Sequence, residues 1–149
     1  MPSMDASGKK MILVVDDSQK TRNLLLKFLT GLGYSVQLAE SGGEAERLAQ
    51  SERPELILMD LRMPVVDGFE TSARIRSHAE LSEVPILALS SSGRKGIELF
   101  SEREKLGPAY VGYITKPINL NALAEEISLV LSKTVGRDRD TDGSKFMTV

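Results

Sequence analysis

The stretch "LILMDLRMPVVDG" (residues 56–68) decides the fold of this chain. It opens with a continuous apolar run, places a single carboxylate, Asp60, at the end of that run, and then breaks into a loop marked by Pro64 and Gly68. Continuous apolar runs, unlike alternating ones, are typical of strands that are covered on both faces in a parallel sheet. The stretch therefore predicts a buried strand that delivers an aspartate to one edge of a sheet.

Four further apolar runs of the same kind occur along the chain. They are "MILVV" (11–15), "SVQLA" (35–39), "PILAL" (85–89) and "YVGYI" (110–114). A helical pattern follows each of the five runs, at residues 18–30, 43–51, 67–77, 96–106 and 120–132. Regular alternation of strands and helices predicts right-handed crossovers and a three-layer α/β sandwich around a parallel five-stranded sheet.

Composition narrows the classes of function. The net charge is -2, and 5% of the 149 residues are aromatic, so neither charge nor stacking surface favours direct nucleic-acid binding. The chain has no Cys, which excludes disulfides and thiolate metal sites and fits a reducing cytoplasm. Apolar runs stay well below the roughly 18 residues of a membrane span, so we expect no membrane insertion. We expect a flexible arm at 1–9, one domain at 10–133 and a flexible tail at 134–149.

Polar side chains stand at the carboxyl ends of four predicted strands, where open parallel sheets bind their ligands. Asp16 and Asp17 follow the first strand, Asp60 ends the third, Ser90 follows the fourth, and Lys116 comes just after the fifth. Three crowded carboxylates raise one another's pKa values unless cations compensate their charge. Mg²⁺ prefers oxygen ligands and is commonly held by carboxylates together with phosphate oxygens. The sequence therefore predicts a Mg²⁺ site with Lys116 as a second, fixed cation.

The motifs "VVDD", "LILMDLRMPVVDG", "ILALS" and "YITKP", in this order and near the usual spacing, resemble the receiver domain of two-component response regulators. The resemblance spans residues 10–133. It implies a flavodoxin-like (βα)₅ fold with a sheet of order 2-1-3-4-5. It also implies that the domain accepts a phosphoryl group from a phosphohistidine on a sensor histidine kinase or a histidine phosphotransfer protein.

Roles follow from the resemblance for the residues that match the motifs. Asp60 would be the phosphoacceptor and would share a Mg²⁺ ion with the acidic pair of Asp16 and Asp17. The main-chain carbonyl of Arg62 would be a further metal ligand. Arg62 also occupies the variable position two residues after the acceptor, where a long cation could shield the acyl phosphate from water.

The remaining matched positions would take part in the conformational change that follows phosphorylation. Lys116 would pair with the phosphoryl oxygens, and Pro117 would follow it in the cis form. Ser90 would be the switch hydroxyl and Tyr113 the aromatic switch. Movement of Ser90 toward the phosphoryl group would let Tyr113 turn, which would alter the face formed by the expected helix 96–106, the fifth strand and the last helix. The altered face would act on a downstream protein target in trans.

The chemistry is consistent with a protein that is not a classical enzyme, although it would catalyse its own phosphoryl transfer and autodephosphorylation. A carboxylate is a competent nucleophile once the charge of the transferring group is neutralised and the geometry is in line. Because the tail is too short for a DNA-binding domain, we expect a stand-alone receiver, a phosphate shuttle or sink, or a receiver from a hybrid kinase.

Two alternatives from other classes remain open. One is a pseudo-receiver whose interactions ignore phosphorylation. The other is a haloacid dehalogenase-like phosphatase, although such enzymes carry a DxD nucleophile motif on the first strand, where this chain has adjacent aspartates. Asp67 is predicted to start the third helix and His78 to be a solvated surface residue. Relative to the family, residues 90–116 are about four residues longer, and Ser91 and Ser92 follow the switch hydroxyl.

Overall fold

The computed structural model describes residues 8–90 and 110–140, with side chains as far as Lys133. Its strands are β1 (Met11–Val15), β2 (Ser35–Ala39), β3 (Leu56–Asp60), β4 (Ile86–Ser90) and β5 (Gly112–Thr115). Its helices are α1 (Gln19–Gly31), α2 (Gly42–Glu52), α3 (Gly68–Arg76), a short 3-10 helix (Ala79–Leu81) and α4 (Leu120–Asp140).

The five strands form one sheet of order β2-β1-β3-β4-β5, and every pairing is parallel. This order is the flavodoxin-like arrangement of doubly wound proteins. The predicted strand count, direction and order are therefore confirmed. Because β1 lies between β2 and β3, chain order reverses beside β1, and ligands bind at such a switch point beyond the carboxyl ends of the strands.

Both faces of the inner strands β1, β3 and β4 are covered, since every residue in these strands is buried. On one face, alternate strand residues pack with α2 and α3 in one apolar cluster. The members of this cluster include Leu13, Val15, Ile57, Met59, Ile86 and Ala88 from the strands and Ala45, Ala49, Phe69 and Ile75 from the helices. On the other face, residues such as Ile12 and Leu58 are 0% exposed. This burial explains why these strands read as continuous apolar runs.

Side-chain caps fix where the first three helices begin, and so fix the loops at the carboxyl edge of the sheet. Ser18 accepts a hydrogen bond from the Thr21 N–H at the start of α1, and Ser41 caps α2 in the same way. Asp67 accepts from the Glu70 N–H at 2.9 Å, which confirms its predicted place at the start of α3. Such caps each stabilise a helix by about 1 kcal/mol.

Helix α4 forms its own compact unit with the residues that adjoin it. Asn119 caps it by accepting from the Ala122 N–H at 2.9 Å, and Leu123 and Ile127 are buried. The helix continues to Asp140, beyond residue 132 at which the apolar pattern ends it. The helix predicted at 96–106 lies outside the described residues. Within the described ranges, none of the helices combines the length and apolar character that a membrane span requires.

Candidate functional site

Three buried polar residues stand at the carboxyl ends of the inner strands. Asp16 directly follows β1 and is 0% exposed, while Asp60 and Ser90 are the last residues of β3 and β4 and are each 3% exposed. Because the strands are parallel and in register, these ends lie at one edge of the sheet. Burying polar side chains here costs free energy unless partners compensate them, which makes this edge the first place to look for chemistry.

Lys116 brings the two buried aspartates together. Its Nζ lies 2.8 Å from Asp16 Oδ2 and 3.4 Å from Asp60 Oδ2. The main chain of Lys116 is also held, because its N–H donates to the carbonyl oxygen of Ser90 at 2.8 Å. Of the five residues predicted at the strand ends, Lys116 thus contacts Asp16 and Asp60 through its side chain and Ser90 through its main chain.

Main-chain groups orient each buried carboxylate. Asp16 Oδ1 accepts from the Ser18 N–H at 2.9 Å, and Asp60 Oδ1 accepts from the Arg62 N–H at 3.0 Å. In both aspartates, one oxygen thus turns back to the loop that follows the strand and the other faces Lys116. This shared pattern fixes both side chains in the cleft.

A third carboxylate completes an acidic cluster. One oxygen each from Asp16, Asp17 and Asp60 can be chosen so that all three lie within 4.8 Å of one another, and Asp17 is the exposed member. Hard divalent cations such as Mg²⁺ bind sets of carboxylate oxygens of this kind. With Lys116 charged, three carboxylates minus one ammonium leave two negative charges, which equals the charge that Mg²⁺ would neutralise. The donor set therefore fits the predicted ion.

Burial and neighbouring charges shift the pKa values of two residues at the site, Asp60 and Lys116. Burial raises the pKa of Asp60 to about 7, and the charge of Asp16 pushes it in the same direction, against the Arg62 N–H and Lys116, which lower it. Burial alone would lower the pKa of Lys116, but its contacts with Asp16 and Asp60 outweigh burial and raise it. Lys116 therefore stays cationic, while Asp60 needs a further cation to be fully ionised at neutral pH.

Gly68 contributes to the site in a way that the sequence did not reveal. A Cβ atom there would lie 2.2 Å from the carbonyl oxygen of Asp60 and 2.7 Å from Cα of Leu61. The Gly68 N–H donates to the carbonyl oxygen of Leu61 at 3.2 Å. The first residue of α3 thus lies against the backbone at the end of β3. The "DG" pair was the available signal, but it reads equally well as an ordinary turn.

Other predicted residues are placed without a test of their roles. Arg62 is exposed, and the carbonyl contact proposed for it stays a prediction. Tyr113 lies on β5 with 45% of its surface exposed, and its switch role also stays a prediction. The peptide bond between Lys116 and Pro117 is cis, as the resemblance implied. Ser91 and Ser92 lie outside the described residues.

His78 lies at the surface, as predicted, but it is only partly exposed to solvent. Its side chain is 27% exposed, and Nε2 lies 2.7 Å from Glu46 Oε2. The other ring nitrogen lies 3.2 Å from Nε2 of Gln50. The polar residues beside His78 in sequence did not indicate these two partners on α2.

Comparison with known proteins agrees with this geometry. Residues 12–128 match the family described as "Response regulator receiver domain". Protein PilH of Pseudomonas aeruginosa is 31% identical over 121 residues, which cover 81% of this chain and 97% of PilH. The polar-differentiation response regulator DivK of Brucella anthropi is 33% identical over 122 residues, covering 82% of this chain and 96% of DivK.

Solved structures show the same likeness in three dimensions. The chemotaxis protein CheY4 of Vibrio cholerae superposes with a TM-score of 0.73 at 30% identity, covering 82% of this chain and 98% of CheY4. The flavodoxin-like fold is thus shared with a solved chemotaxis protein of similar length. This chain belongs to the response regulator receiver domain family of two-component signalling.

Proposed function

We propose that Asp60 accepts a phosphoryl group in a Mg²⁺-dependent reaction whose donor is a phosphohistidine on a sensor histidine kinase or a histidine phosphotransfer protein. The observation that carries the proposal is the position of Asp60. Its carboxylate is buried at the end of an inner strand, within 3.4 Å of Lys116 and within one acidic cluster with Asp16 and Asp17.

In the proposed reaction, a carboxylate oxygen of Asp60 attacks the phosphorus atom, and the bond between phosphorus and the donor imidazole breaks. The electron pair of that bond leaves with the imidazole, which takes up a proton. Asp60 keeps one oxygen on the Arg62 N–H, so the carboxylate cannot rotate freely during the attack. Holding the nucleophile in this way replaces a random encounter by an aligned one.

Charge compensation supplies the rest of the catalysis. When bound by Asp16, Asp17, Asp60 and the main-chain carbonyl of Arg62, Mg²⁺ would neutralise the charge of the transferring group. Lys116 already contacts Asp16 and Asp60, and its ammonium group would pair with a phosphoryl oxygen. We assign the Ser90 hydroxyl to a second phosphoryl oxygen, since Ser90 ends the neighbouring strand β4. Charge-assisted contacts of this kind provide much of the rate acceleration in enzymatic phosphoryl transfer.

The same contacts would convert phosphorylation into a signal. Recruiting Lys116 to the phosphoryl group would break its contacts with Asp16 and Asp60, which tie the residue after β5 to the ends of β1 and β3 in the unphosphorylated form. Tyr113, exposed on β5, would then change its orientation and alter the face offered to a downstream protein. This is a shift between two populated states, driven by a local change of charge. Autodephosphorylation would return the protein to the first state.

The test is an intact-mass measurement after incubation with acetyl phosphate and Mg²⁺. We expect one phosphoryl group per chain, abolished by Asp60→Asn and by a chelator. Asp67→Asn is the matched control, because Asp67 lies on the same loop but caps α3, and Asn can also cap a helix. This variant should be labelled like the wild type.

Absence of an adduct, even with a panel of histidine kinases, would contradict the proposal. It would instead favour a receiver fold whose interactions ignore phosphorylation. Steady release of phosphate from added phosphomonoesters would favour a phosphatase. Against that alternative, Asp60 ends β3, and the aspartates that follow β1 are adjacent and do not form a DxD motif.

A further inference from the structure

Arg22, on the first turns of α1, makes a contact with the acidic pair that lies outside the phosphoryl-transfer machinery described above. Its side chain is 13% exposed, and one guanidinium nitrogen donates to the main-chain carbonyl oxygen of Asp16 at 2.9 Å. That carbonyl belongs to the peptide unit that joins Asp16 to Asp17. Arg22 thus holds the piece of backbone from which the second aspartate projects.

The other arm of the guanidinium reaches the neighbouring loop. Its second nitrogen lies 3.5 Å from Glu40 Oε1, directly after β2. Glu40 is itself tied to α2, because its N–H donates to Glu44 Oε1 at 2.9 Å. A planar fork of donors can hold two acceptors in fixed directions, which the single ammonium of lysine cannot do as well.

The two members of the acidic pair depend on this contact to different degrees. Asp16 is fixed independently, since its N–H donates to the Ala39 carbonyl and its side chain is held by Ser18 and Lys116. Asp17 is exposed, so packing does not determine its direction. The orientation of the peptide before Asp17 decides where its carboxylate points.

We infer that Arg22 is a positioning residue for divalent-cation binding, acting by fixing the peptide that joins Asp16 and Asp17. The inference rests on the proposed Mg²⁺ site. Charge alone predicts the opposite effect on Mg²⁺ affinity, because a guanidinium beside an acidic cluster repels a cation. If charge dominated, removing Arg22 would tighten Mg²⁺ binding; if positioning dominates, removal weakens it.

The experiment is a calorimetric Mg²⁺ titration of wild type, Arg22→Met and Arg22→Lys at low ionic strength. We expect Arg22→Met to bind Mg²⁺ about 10-fold more weakly, the lower end of the loss typical when a residue that orients metal ligands is removed. Arg22→Lys should bind with intermediate affinity, because it keeps the charge but loses the fork. Lys27→Met is the matched control: Lys27 is exposed on the same helix, and its loss should leave affinity unchanged or slightly higher.

A second measurement separates positioning from a general structural effect. Excess Mg²⁺ should restore the rate at which acetyl phosphate labels Arg22→Met, whereas a damaged fold would not be rescued. Circular dichroism in chelator checks that each variant is folded. If wild type binds Mg²⁺ and Arg22→Met binds it equally well or more tightly, the inference is overturned while the proposed function stands. If wild type itself fails to bind Mg²⁺, the proposed function fails first and takes the inference with it.

Discussion

The inner strands and the edge strands of this sheet bring different groups to the same site. Every residue of β1, β3 and β4 is buried, whereas β2 is mostly half-buried and β5 alternates between half-buried and exposed residues. The buried acids and the hydroxyl stand at the ends of the inner strands or directly after them. The cation Lys116, 28% exposed, follows the edge strand β5.

This division suits a switch. Repelling carboxylates stay close together only where packing leaves the backbone no freedom, and the inner strands provide that rigidity. In the proposed function, Lys116 would move from Asp16 and Asp60 to a phosphoryl group, and a position just after an edge strand would leave fewer contacts to resist that movement. Under the proposed function, the sheet would hold Asp60 still while Lys116 responds to phosphorylation.

Matched leucine truncations test the difference between inner and edge strands most strongly. Leu58 on β3 is 0% exposed, and Leu38 on β2 is half-buried. We expect Leu58→Ala to lower the free energy of unfolding by about 2–5 kcal/mol through a buried cavity. Leu38→Ala should cost less than half as much. Urea denaturation measures both, and equal losses would show that the edge strand is as tightly packed as the inner one.

Asp60→Asn tests how far the buried charge of Asp60 lowers the free energy of unfolding. Because the native pKa of Asp60 is raised from 3.8 to about 7, the native state holds this proton more tightly than the unfolded state does. Wild-type stability therefore loses this contribution as pH rises from about 4 to 7. In chelator, we expect Asp60→Asn to be more stable than wild type by on the order of 3 kcal/mol at pH 8.

Below pH 4 that advantage should vanish, because Asp60 is then protonated in both the native and the unfolded states. Urea melts of the two proteins at several pH values give the difference directly. A constant difference across the whole range would mean that Lys116, just after the edge strand, fully offsets the buried charge of Asp60.

Two glycine-to-alanine changes should have the smallest effects on stability, and these effects should have opposite signs. Gly68→Ala should destabilise the protein by about 1–3 kcal/mol, because its methyl group would overlap the backbone of Asp60 and Leu61. Gly43, in the first turn of α2, has open space where an added methyl group would lie, with nothing within 4 Å. Gly43→Ala should therefore stabilise by about 0.5 kcal/mol. Thermal melts measure both, and a neutral Gly68→Ala would show that α3 can move away from the acceptor strand.

Much of this arrangement could be predicted from the sequence, because strands that are buried on both faces appear as continuous apolar runs. The apolar runs located every strand to within two residues, and the polar residue at each strand end located Asp60 and Ser90. The pattern ended the last helix at 132, whereas α4 continues to Asp140, because apolar spacing records which face is buried and not where backbone hydrogen bonding stops.

Contacts between parts of the backbone that are distant in sequence produce no such sequence pattern. The close approach of Gly68 to Asp60 and the bond from Arg22 to the Asp16 carbonyl depend on how loops meet in space. An arginine on a helix and a glycine after an aspartate are each commonplace in sequence. Their importance follows from distances, which no local pattern contains.

Locating the phosphoryl group on the chain tests the central claim most directly. After labelling with acetyl phosphate and Mg²⁺, borohydride reduction of the acyl phosphate and peptide sequencing by mass spectrometry would identify the modified aspartate. The account predicts homoserine at position 60 and unmodified Asp16 and Asp17. Reduction at either member of the acidic pair, with Asp60 intact, would contradict it.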